Sequence, residues 1–134
     1  VVGINASLTD DSTKSWEHLK HRSQGFREVK MLDNICTLWR ADWFNSIGRF
    51  DPRLLYAWGI DLKVSMDARQ SGMKLFVCDD VQVKKITDIG YTMGRMGMDA
   101  EKRKELARAN MDEVFTNDYG SDWRKFMMEA ENGQ

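Results

Sequence analysis

The side chains whose types and spacing could do chemistry gather around one carboxylate, Asp61. It follows Trp58-Gly59-Ile60 and stands at the start of a stretch, Gly59 to Ser71, where Ile60, Val64 and Ala68 recur at helical spacing. A carboxylate at a loop-to-helix junction can be held at a cleft mouth and take a proton from a hydroxyl, the work of a general base. The same place suits an acidic residue for a plainer reason, since a negative charge in a first helical turn gains roughly a few tenths of a kcal/mol from the macrodipole. Just upstream, Trp58 offers an aromatic face for stacking on a ring, or fills core. Asp33 and Asn34 interrupt the apolar segment Val29 to Trp39 and either hydrogen-bond hydroxyls or simply form a bend. Lys84 and Lys85 can meet an anionic group, or make a solvated pair on a strand edge.

Metal chemistry within the chain is not expected. His18 and His21 are three apart with no third ligand at matching spacing, and read as exposed histidines on a polar helix. Asp10-Asp11 and Asp79-Asp80 lie in apparent turns, whereas a hard cation needs several converging oxygens. The two cysteines, Cys36 and Cys78, form neither a Cys-x-x-Cys spacing nor a disulfide framework; each lies in an apolar stretch and is expected reduced and buried, which implies a cytoplasmic setting.

Gly48-Arg49-Phe50-Asp51, then Trp58-Gly59-Ile60-Asp61, a helix with Arg69 and Gly72 at its end, and an apolar strand together resemble the acceptor-side segment of family 2 glycosyltransferases, which have the GT-A fold. The resemblance runs from about Val1 to about Thr92. It implies that Asp61 is the general base of an inverting sugar transfer, that Trp58, Gly59, Asp33 and Asn34 meet the acceptor, and that Lys84 or Lys85 faces a donor diphosphate. It also implies a nucleotide-sugar donor and a Mn²⁺ or Mg²⁺ ion bound by an N-terminal half carrying an Asp-x-Asp motif; this chain contains no Asp-x-Asp and is read as a piece of a longer protein that is inactive alone. The chain departs from the family pattern at Ile60, Lys63 and Asp67, and has Val83-Lys84-Lys85 where a histidine often helps hold the metal.

With 134 residues, 42% apolar and 31% charged, the chain can bury a core as one globular domain. Its 20 basic and 21 acidic side chains balance to −1, which disfavours nucleic acid as a partner. No apolar run approaches the roughly 18 residues needed to span a bilayer. Local patterns predict a strand at Val1–Ile4 leading into a loop, one or two buried strands within Val29–Trp39, and a short helix at Ala41–Ile47 ended by Gly48. They further predict a helix at Gly59–Ser71 capped by a left-handed Gly72, and strands at Met73–Cys78 and Val81–Ile86 separated by Asp79-Asp80. Ile89 to Met98 reads as a loop, in which Met93, Met96 and Met98 can line an adaptable surface. Asp99 then caps a helix bearing Ala107, Met111, Val114 and Phe115 on one face, and Ser121 opens another with Trp123, Phe126, Met127 and Ala130.

The expected architecture is therefore α/β: a partial GT-A-like mixed sheet with flanking helices over residues 1–92, and a loop with two amphipathic helices over 93–134 that cover their apolar faces on the sheet domain or on a second copy. A non-catalytic interaction module derived from a glycosyltransferase is the alternative.

Overall fold

The computed structural model describes residues 1–13, 15–86 and 99–132, with side chains as far as residue 127. In chain order the elements are β1 (Gly3–Leu8), a 3₁₀ turn (Glu17–Leu19), β2 (Phe26–Val29), β3 (Thr37–Trp39), α1 (Ala41–Ser46), α2 (Ile60–Gln70), β4 (Leu75–Val83), α3 (Ala100–Tyr119) and α4 (Trp123–Asn132). The strands form one mixed sheet in the order β2-β4-β1-β3: β1 and β4 are parallel at its centre, and β2 and β3 run antiparallel to them at the edges. A mixed sheet with flanking helices is the expected α/β class.

α2 is the organising element because it buries two faces. Val64 and Ala68 pack with Val29, Leu75 and Val77 of the sheet and with Trp43 of α1, while Leu62 and Met66 join Met31, Leu54, Met111, Val114, Phe115 and Trp123. The C-terminal helices thus cover their apolar stripes on α2 within the chain itself. Each large side chain fully buried this way contributes roughly 1.5–3 kcal/mol. The helix ends where its sequence says it should, with Gly72 at φ 68°, and Ser65 within it accepts the Leu32 amide at 3.0 Å, tying the preceding loop to its buried side.

Several local expectations change. β1 continues through Asn5 and Ser7, which a turn-rich reading gives to a loop. Both are buried and satisfied: Asn5 accepts from the Thr37 hydroxyl, and Ser7 Oγ donates to the Val81 carbonyl at 3.2 Å. The two strands expected on either side of Asp79-Asp80 are one, β4, but its register against β1 jumps from Ala6↔Cys78 to Ser7↔Gln82. In that irregularity Asp79 is buried and receives Arg27 Nε at 2.6 Å, while Asp80 accepts the Gly25 amide at 2.9 Å. Arg27 also donates to the His18 and Lys20 carbonyls, so one guanidinium ties β2, β4 and the 3₁₀ turn.

His18 is not an exposed residue of a polar helix. It is buried with Nε2 donating to the Met31 carbonyl at 3.0 Å, and burial holds its pKa below the usual value. Nor are the cysteines both buried: Cys36 is exposed and Cys78 half-buried, both as free thiols. Cys36 precedes a strand that is at the edge of the sheet among the described residues, which its apolar surroundings in sequence do not reveal. The predicted 89–98 loop and the Ala130 side chain lie outside the described residues. Among the described residues no helix is long and apolar enough to cross a membrane.

Candidate functional site

The segment between α1 and α2 is held in an unusual backbone path. Gly48, Arg49, Ala57 and Gly59 all have positive φ, and the two non-glycine residues at 65° and 55° store strain of roughly 1–3 kcal/mol each, a feature that clusters at functional sites. Gly59 has two reasons to be glycine. Its φ is 83°, and a Cβ there would lie 2.7 Å from Met111 Sδ of α3. It is therefore a buried pivot that starts α2 and seats α3.

Asp61 occupies the first turn that Gly59 launches. Its Oδ1 accepts the Leu62 amide at 2.9 Å and its Oδ2 the Asn34 amide at 3.4 Å. Asp33 lies against the same carboxyl group, and Lys85 Nζ reaches Asp33 Oδ2 at 3.3 Å. Burial, and after it the Asp33 charge, push the Asp61 carboxyl up to about 6, with the Leu62 and Asn34 amides acting the other way and outweighed. At neutral pH such a group is mostly ionised yet far more basic than a solvated carboxylate, which suits it to proton abstraction.

Four of the residues singled out in the sequence, Asp61, Asp33, Asn34 and Lys85, thus converge. The others do not. Lys84 turns to Asp11 in a surface ion pair, and Trp58, 39% exposed, has Arg108 of α3 at 5.9 Å from its ring centroid. Asn34 is also a wall of an open groove of about 430 Å³ lined by Cys36, Leu38, Trp39, Phe44 and Phe50 among others. Trp39 and Phe44 stack with centroids 6.0 Å apart, and Phe50 meets Phe44 edge-on at 5.1 Å. These aromatics were not among the sequence candidates. Their signal was the close recurrence of Trp39, Trp43, Phe44 and Phe50, of which only Trp43 is buried.

Two departures from the glycosyltransferase pattern explain each other. Lys63 and Asp67, one turn apart on α2, bond at 3.0 Å, and Tyr119 donates to Asp67 at 2.6 Å. Lys63 also lies 3.2 Å from Asp118, which Arg53 grips through both nitrogens while holding Asp51 of the Gly-x-Phe-Asp turn. This network fastens the turn, α2 and α3 together on the side of α2 away from the sheet. Its residues tie scaffold elements together and make none of the contacts given for Asp61.

Among the described residues no three histidine, cysteine or carboxylate side chains converge, and the one carboxylate beside Asp61, Asp33, already carries Lys85. No protein-family model matches the chain, and neither a curated protein nor a solved structure is found similar to it.

Proposed function

We propose that the chain is the acceptor-side portion of a GT-A-type glycosyltransferase, moving a sugar from a nucleotide-sugar to an acceptor hydroxyl with inversion. The acceptor oxygen bonds to the anomeric carbon as the bond from that carbon to the nucleotide diphosphate breaks, and the hydroxyl proton passes to Asp61. The observation that carries this reading is the Asp61–Asp33 pair at the start of α2: a carboxylate made basic by burial and by a like charge, its position fixed by the Leu62 and Asn34 amides. Asp33 is a positioning residue, and Lys85 offsets part of its charge. Donor binding, with any Mn²⁺ or Mg²⁺, belongs in this reading to residues outside this chain.

The test is turnover by the protein that carries this chain with its donor-binding half, using UDP- and GDP-sugars. Asp61→Asn is expected to lower kcat by about 10²-fold or more with donor affinity nearly unchanged. A variant within about threefold of the wild type would remove Asp61 from the mechanism.

A second reading, a non-catalytic interaction module, draws support from the sheet edges. Phe26 on β2 is 61% exposed and Leu38 on β3 76%, apolar side chains on strands whose outer sides are open among the described elements. No turnover by the wild-type protein with its donor-binding half, together with association that Leu38→Lys abolishes, would favour the module.

A further inference from the structure

We infer that the groove between β3, α1 and the Gly48–Asp51 turn binds a neutral carbohydrate ring. Its place as the acceptor site rests on the reading just given; its capacity to bind does not. At about 430 Å³ it falls within the ~300–1,000 Å³ of small-molecule sites. Trp39, Phe44 and Phe50 supply π faces and edges, and a pyranose presents polarised C–H bonds on one face that suit an aromatic ring's negative quadrupole.

The polar complement is small and directional. Trp39 Nε1 donates to Asn34 Oδ1 at 3.4 Å, which sets the carboxamide and leaves its Nδ2 hydrogens to meet a ring hydroxyl. Among the described residues no charged side chain lines the groove, so nothing there compensates a diphosphate or an acidic sugar. Asn34 joins the groove to the base: its side chain is a wall, and its amide donates to Asp61 Oδ2. A sugar stacked on these aromatics therefore has its hydroxyls at the end where the Asp61–Asp33 pair stands. Trp58, the stacking residue suggested by sequence, lines no part of this groove and already faces Arg108.

The experiment titrates the chain with lactose, cellobiose, maltose and N,N′-diacetylchitobiose, followed by saturation-transfer NMR and by the rate at which iodoacetamide alkylates Cys36 in the groove. At least one disaccharide is expected to bind saturably and to slow alkylation of Cys36 but not of Cys78. Trp39 packs over Gly3, whose Cβ would lie 2.5 Å from the indole, so removing Trp39 disturbs the sheet and Phe50→Ala is the informative variant. Phe50→Ala is expected to weaken binding about tenfold with the melting midpoint lowered by no more than about 5 °C, from the loss of one aromatic contact. Trp58→Ala is expected to leave binding as it was. No saturable binding by any of the four, or binding that depends on Trp58 and not Phe50, overturns the inference, as does binding only of an apolar peptide. Binding with unimpaired turnover by Asp61→Asn would instead overturn the base assignment and leave the groove standing.

Discussion

Replacing Asp61 by Asn should make the protein more stable while removing the proposed base. The folded carboxyl sits at about 6 against an ordinary value of 3.8, so the folded chain holds a proton that the unfolded chain has released between about pH 4 and pH 6. Stability therefore falls as pH rises through that window and is level above it. At ~1.36 kcal/mol per pH unit, Asp61 costs folding up to about 3 kcal/mol at pH 7.5, where it is ionised in both states, and about 1 kcal/mol at pH 4.5, where only the folded chain must hold the proton. Asparagine, neutral at both pH values, escapes this cost, and the favourable helix N-terminus and amide contributions are already contained in the shifted value. The net gain is then about 1 kcal/mol at pH 4.5 and rises to about 3 kcal/mol at pH 7.5. For a domain of this length the gain at pH 7.5 is a rise in midpoint of roughly 10 °C. Paired thermal and urea melts of both proteins at the two pH values provide the assay. A variant destabilised at pH 7.5, or a difference that does not change with pH, would refute the electrostatic reasoning.

Three further outcomes are expected. Burial alone would raise the Asp79 carboxyl, but Arg27 outweighs it and holds the group below its usual value; its stabilisation is present above the ordinary carboxylate range and is lost as pH falls through the depressed value. Asp79→Ala at neutral pH should cost about 3–5 kcal/mol by urea denaturation, because Arg27 is left uncompensated, and a loss under about 1 kcal/mol would contradict the pairing. Gly59→Ala should lower the melting midpoint clearly more than Gly72→Ala, since both positions are left-handed but only Gly59 has Met111 in the way; equal shifts would show that α3 does not seat there. Ending the chain at Gly97 removes α3 and α4 and uncovers Met31, Leu54, Leu62 and Met66, so a lower midpoint and poorer solubility should follow, whereas an unchanged melt would make the tail an appendage.

What the sequence by itself determined is what repeats along a short stretch of chain. The period of Ile60, Val64 and Ala68, the glycine that stops it at 72, the Asp99 cap and the Ala107–Phe115 stripe each need only a few neighbouring residues to be read, and α2 and α3 lie within a residue or so of those signals. Asp61 was legible for the same reason, as an acid in the first turn of the helix that follows Gly59. What the tertiary structure decided is where polar groups find partners far along the chain. Asn5 and Ser7 look like loop residues until Thr37 and Val81 supply their hydrogen bonds, and His18 looks solvated until the Met31 carbonyl meets it. The basic character of Asp61 belongs to this second kind. It arises because the bend at Asp33-Asn34 is folded against the start of α2, and burial and charge at a point in space are set by whatever the whole fold places there. The aromatic groove likewise exists only where β3, α1 and the turn at Phe50 meet, since no local period records which faces of three separate segments are left uncovered together.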